Sequence, residues 1–220
     1  MERAVTGGNS IDQCSIPDGA EGYEHVSDAW IEQSESFDVP ALYAPVLDLL
    51  PREPARVLDI GAGTGRDAAW FAGRGHKVTA VEPARRLREA GRQIHQGREI
   101  EWIEAHLPDL PGLRARASFD LIVLIGVWQH LKETMRSAAM ARIFDLTAPK
   151  GRVILSLRHG PGAPDRPVFP IDPNGTIAAA EQCGFTVLRA ARASSLQAAN
   201  RKKGVEWTWM VLEAKPGRLR

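Results

Sequence analysis

From residue 56 onward, short apolar runs alternate with amphipathic stretches, the pattern of strands and helices taking turns. Arg56-Val57-Leu58-Asp59-Ile60 is a brief apolar run that ends in glycines, which predicts a buried strand. Residues 66–74 read as a helix, with Gly73 and Gly75 as stop signals. Strands follow at 77–81 and 100–104, separated by a helix over 84–96 whose positive charges suggest a solvated face. Phe119-Asp120-Leu121-Ile122-Val123-Leu124-Ile125 is the strongest strand in the chain. Its nearly unbroken apolar character fits a central parallel strand covered on both faces. A helix over 131–146, a strand over 151–157 and a helix over 173–183 continue the alternation. Asp172 is the expected N-cap of that last helix, Pro173 its first residue and Gly184 its stop.

The two ends of the chain break the rhythm. Residues 185–191 and 205–214 read as strands with no helix between them, which suits an antiparallel hairpin with a long polar loop. Residues 26–35 and 40–50 read as helices of an N-terminal cap or lid spanning 21–50, and residues 1–20 as a flexible lead-in without periodicity. The α/β pattern predicts a doubly wound, mostly parallel seven-stranded sheet over 51–220, with helices on both faces and an antiparallel C-terminal hairpin strand.

Composition narrows the function. The 220 residues suffice for one sizeable domain, and 44% hydrophobic content supports a real core. Lys plus Arg number 28 and Asp plus Glu 27, a net charge of +1 that argues against a general nucleic-acid binder. Cys14 and Cys183 form no framework, Met1 to Asp18 is polar and holds no apolar run like that of a secretory signal, and no apolar stretch is long enough to span a bilayer. These features suit a soluble cytoplasmic protein, monomer or homodimer, working on a small molecule rather than on nucleic acid or a membrane. The six histidines are scattered and suggest no metal site.

The chemistry centres on Gly61-Ala62-Gly63-Thr64-Gly65, directly after the first strand. Three glycines allow a tight turn and close approach of backbone to a ligand, and the next helix begins with free N–H groups. Glu82 closes the second strand, where a carboxylate can accept hydrogen bonds from ribose hydroxyls. The dinucleotide fingerprint fails because Arg66 stands at its last glycine, and no P-loop lysine is present.

Four segments together resemble the class I S-adenosylmethionine-dependent methyltransferases. Val57 to Gly65 is similar to their first motif, Ala80-Val81-Glu82-Pro83 to the acidic second, and Phe119 to Val123 to the fourth-strand motif. Leu146 to Val153 is similar to the segment entering the fifth strand. The resemblance implies S-adenosyl-L-methionine as methyl donor and S-adenosyl-L-homocysteine as product. It implies that Gly61, Ala62, Gly63 and Gly65 pack under the cofactor and that Asp59 orients the loop or reaches the methionine amine. Glu82 would take both ribose hydroxyls, with Pro83 beside it. Ala105, His106 and Leu107 would border the adenine, Ala105 standing where the family carries an acid. Gly126 and Val127 would lie near the sulfonium.

Methyl transfer is an in-line displacement in which the protein positions and desolvates the nucleophile, and a base helps only where a proton must leave. His130 and His159, both just past strand ends, are the candidate bases. Trp30, Trp128 and Arg158 are the candidate substrate contacts, the arginine for an anionic group. Core packing of Trp128 is the competing reading. RNA or protein methylation, or cofactor binding without catalysis, are the alternative functions.

Overall fold

The computed structural model of the chain describes residues 20–113 and 118–216. Most of the expected lead-in, Cys14 included, lies outside the described residues. A seven-stranded sheet forms the frame: β1 (Arg56–Ile60), β2 (Lys77–Val81), β3 (Ile100–Ile103), β4 (Phe119–Leu124), β5 (Thr147–His159), β6 (Phe185–Ser194) and β7 (Glu206–Ala214), in the order β3-β2-β1-β4-β5-β7-β6. The first five strands are parallel, and β7 runs antiparallel to both β5 and β6. The helices are α1 (Asp28–Glu35), α2 (Val39–Leu42), α3 (Arg66–Ala72), α4 (Arg85–Ile94), α5 (Glu133–Leu146), α6 (Pro173–Cys183) and α7 (Ala198–Lys202). Among the described residues no helix is long and apolar enough to cross a membrane.

Alternation along the strands divides the core in two. Val57, Val78, Leu121, Val123, Ile154 and Val211 face one side, where Val39, Tyr43 and Phe71 from the α2–α3 region cover them. Leu58, Ile122, Leu124, Val153, Leu155 and Leu212 face the other, under Met140 and Ile143 of α5 and Ala180 of α6. Strand β4 therefore buries both faces, which accounts for its unbroken apolar run.

Three expectations need correction. The helix expected over 40–50 stops after Leu42 and resumes only as a single 3-10 turn at Leu47–Leu49. Pro45 has no N–H to continue the ladder and its ring obstructs the preceding turn. The loop between β6 and β7 holds α7, too short for its periodicity to stand out. The helix expected from 131 begins at Glu133, after a separate 3-10 turn at Trp128–His130. Asp172 caps α6 as expected, accepting from the N–H groups of Asn174 and Gly175, and Gly184 ends it in the left-handed region.

The order reverses between β1 and β4, since one half of the sheet runs outward from β1 and the other from β4. In such sheets a crevice opens beyond the carboxyl ends of the strands at this switch.

Candidate functional site

The loop after β1 is tied into place by backbone bonds. The N–H groups of Gly61 and Ala62 both donate to the Val81 carbonyl, at 2.8 and 2.9 Å, which locks the turn to the end of β2. Gly61 lies against the turn after β4, where a Cβ would meet Val127 Cγ2 at 2.5 Å. Gly63 has φ +59° and open space where a side chain would stand. Gly65 has φ +81° and caps α3, but a Cβ there would strike the Trp102 ring at 2.6 Å.

Glu82 completes the floor. Its Oε2 accepts from Gly63 N–H at 2.7 Å and its Oε1 from Ala84 N–H at 2.8 Å. Burial raises its pKa to about 7, against the opposing pull of those two N–H groups. The turn it sits on is clamped by Arg88, whose Nη1 donates to the carbonyls of Glu82 and Pro83 and whose Nη2 pairs with Glu104. Arg88 is only 5% exposed, so the charges of this helix do not all form a solvated face.

Asp59 lies at the same edge, 2% exposed, and its Oδ2 has no hydrogen-bond partner. Burial and the neighbouring Asp67 hold its carboxyl well above the usual range. Asp67 itself is engaged, accepting from the Tyr43 hydroxyl at 3.0 Å and from Arg66 Nε at 2.7 Å. The orphan oxygen of Asp59 is the unfilled acceptor of this group.

A cavity of about 520 Å³ opens above these residues, within the range of small-molecule sites. Its second wall comes from the N-terminal segment and from the β5–β7 side. Tyr23 and Trp30 reach over it from residues 20–35, and the Tyr23 hydroxyl meets His130 Nε2 at 3.0 Å. His130 Nδ1 lies 2.8 Å from the Pro167 carbonyl. A carbonyl only accepts, so the proton of the neutral ring sits on Nδ1 and Nε2 accepts from Tyr23. Burial, with Arg158 and Arg166 nearby, lowers the His130 pKa, so the ring is a neutral acceptor. Burial pushes the Tyr23 hydroxyl up to about 12 and keeps it protonated. Glu24 fixes this segment, its two carboxylate oxygens accepting from Arg85 and Arg86 N–H at the start of α4, at 2.6 and 3.1 Å.

Most of the residues expected from sequence meet at this cavity. Asp59, Gly61, Ala62, Gly63, Glu82 and Pro83 line it, as do Ala105, His106, Leu107, Gly126 and Val127. Trp30, His130 and Arg158 line it as well. Three do not. Gly65 serves the approach of Trp102 to the loop instead. Trp128 is 1% exposed and packs in the core on the α5 side, although its indole N–H finds no partner. His159 follows Arg158 on β5, so the pleat turns it to the opposite face, where its Nε2 meets Thr208 Oγ1 at 2.8 Å.

Sequence reasoning passed over several lining residues. Gln129 and Ser156 hold the turn after β4, Ser156 Oγ accepting from Gly126 N–H at 2.9 Å and Gln129 Nε2 donating to the Gly126 carbonyl. Asn200 and Trp207 come from α7 and β7. No motif marks them. The signal for Trp207 is strand alternation, which sets Trp207 and Trp209 on the face opposite Thr208.

Comparison with known proteins agrees with this fold. A methyltransferase-domain family model matches residues 57–151. Over 125 residues the chain is 32% identical to the biotin biosynthesis bifunctional protein BioHC of Cellvibrio japonicus, covering 56% of this chain and 24% of that one. It is 26% identical over 125 residues to an uncharacterized methyltransferase of Staphylococcus carnosus, covering 56% of this chain and 58% of the relative. The chain thus spans about a quarter and somewhat over half of the lengths of these relatives. In fold it is similar to Burkholderia thailandensis 1,6-didemethyltoxoflavin-N1-methyltransferase, solved with 1,6-didemethyltoxoflavin and S-adenosylhomocysteine bound. The TM-score is 0.66 at 24% identity, over 86% of this chain and 81% of that one. With the glycine loop, the acidic end of β2 and the reversed strand order in place, the chain has a Rossmann-like fold similar to that of this solved methyltransferase, and its residues 57–151 match the methyltransferase-domain family.

Proposed function

We propose that this protein is an S-adenosylmethionine-dependent methyltransferase acting on a small-molecule acceptor enclosed in the cavity. The observation that carries this reading is the Glu82 carboxylate, buried at the end of β2 and aimed at the glycine loop. Its two backbone donors leave lone pairs for further hydroxyl donors, as a ribose would supply. The unpartnered Asp59 Oδ2 and the open space at Gly63 fit the same ligand: an ammonium needs an acceptor, and a nucleoside needs room against the backbone. The residues present therefore suit S-adenosylmethionine, with Asp59 toward the amino-acid part, Glu82 toward the ribose and Ala105 to Leu107 beside the adenine.

When bound, S-adenosylmethionine supplies a methyl group on positively charged sulfur. The chain's own residues exclude water and align the acceptor. Tyr23 and Trp30 cover the cavity as part of a cap formed by residues 21–50, set on a cofactor-binding domain of residues 51–220. Tyr23 and His130 form the proton-accepting pair. A proton leaving the acceptor enters on the Tyr23 oxygen, the Tyr23 proton passes to His130 Nε2, and Nδ1–H stays on Pro167.

Isothermal titration with S-adenosylhomocysteine tests the reading. Binding in the micromolar range is expected, weakened at least tenfold in Glu82→Ala. Absence of binding by the unaltered protein overturns it.

A further inference from the structure

We propose that the acceptor carries a negative group, a carboxylate on a flat ring system, which pairs with Arg158 on the β5–β7 side of the cavity. The inference rests on the reading of the other half of the cavity as the S-adenosylmethionine site.

Arg158 stands next to last in β5, opposite Trp207 in the register of β7, and its guanidinium lies 5.5 Å from the centre of the Trp207 ring. Its hydrogen bonds go to neutral atoms, the Pro161 carbonyl at 2.7 Å and Asn200 Oδ1 at 3.4 Å. Its Nε is buried with no partner at all. Among the described residues no carboxylate lies within ion-pair distance of it. Arg166, in the loop that follows β5, is different: it pairs with Asp165 at 3.7 Å and lies over the Tyr23 and Trp30 rings without lining the cavity.

A partly buried cation without a counterion is costly, and a bound anion offsets that cost. Burial lowers the Arg158 pKa, and the nearby Tyr23 hydroxyl, held protonated, supplies no negative charge to offset it. The counterion is therefore to come from outside the chain. Trp207 lies against Arg158, and Trp30, Phe37 and Trp209 also line the cavity, flat apolar surfaces that suit a planar body. A guanidinium suits a carboxylate because its donors match the two oxygens in one plane.

Benzoate and its neutral isostere benzamide are the probes, titrated by protein NMR with and without saturating S-adenosylhomocysteine. Benzoate is expected to bind at least tenfold more tightly than benzamide. Arg158→Gln is expected to abolish the preference while the dissociation constant for S-adenosylhomocysteine stays within about twofold. Arg158→Lys, which keeps the charge and loses the fork, should retain a reduced preference. Equal binding of the two probes by the unaltered protein overturns the proposal, whether or not the variants fold. So does a benzoate preference that survives in Arg158→Gln, or binding of neither probe. Failure of S-adenosylhomocysteine to bind would instead strike the cofactor reading, and the benzoate comparison without it would still decide the anion site.

Discussion

Glu82 and Gly63, nineteen positions apart in sequence, meet through a 2.7 Å hydrogen bond from the Gly63 N–H to Glu82 Oε2. The bond joins the end of β2 to the loop after β1 and places a buried carboxylate under the cavity. The carboxyl pKa is raised to about 7, so near neutral pH half of the free protein carries it protonated.

That protonation should couple to ligand binding. Ribose hydroxyls donate to the ionised form, so binding draws Glu82 below its free-protein pKa and releases a proton. S-adenosylhomocysteine affinity should be flat above pH 8 and fall through pH 7, about tenfold weaker at pH 6. Calorimetry in buffers of different ionisation enthalpy should show proton release near pH 6.5, absent in Glu82→Gln. In the ligand-free protein the sign for stability is opposite. The native state binds the extra proton between pH 4.5 and 7, so the Glu82 contribution makes the fold less stable as pH rises through that window.

His130 should titrate below the ordinary histidine range, because burial and the nearby Arg158 and Arg166 all disfavour its charged form. Imidazole nitrogen NMR should find the neutral ring with its proton on Nδ1, as the Pro167 carbonyl requires. Arg158→Gln removes one opposing charge and should move the midpoint upward by a few tenths of a unit, on the order of 0.5 kcal/mol. A midpoint that does not move would mean that Arg158 and His130 do not share the cavity.

Gly63 and Gly65 should respond differently to alanine. Both have positive φ, which costs a residue with a Cβ about 1–2 kcal/mol. At Gly65 the added Cβ also strikes Trp102 at 2.6 Å, so Gly65→Ala should lose more stability in urea denaturation. Trp102→Ala in that background should return part of the loss. At Gly63 the Cβ enters open space, and Gly63→Ala should lower S-adenosylhomocysteine affinity at least tenfold with the smaller change in stability.

Glu24 anchors the N-terminal segment by capping α4, which has no cap of its own from Ala84. Glu24→Ala should cost about 1 kcal/mol, the usual worth of a helix cap. Because the bond holds Tyr23 and Trp30 over the cavity, hydrogen exchange should quicken over residues 20–35 before the sheet responds.

The alternation of apolar and amphipathic runs was enough to mark out the strands, the glycine loop after the first and Glu82 at the end of the second, because each depends on residues close together in the chain. A short strand followed by glycines makes its turn wherever the strand lies. Tertiary structure decided the rest. Register and pleat set Arg158 toward the cavity and His159 away from it, and neither can be read until β5 is paired with β7. Trp128 went to the core because the 3-10 turn after β4 aims it there, between residues that line the cavity. Gly65 was given to Trp102 by the packing of α3 on β3. The pairing of Tyr23 with His130 spans 107 positions, and it exists only because the N-terminal segment folds back over the carboxyl ends of the strands.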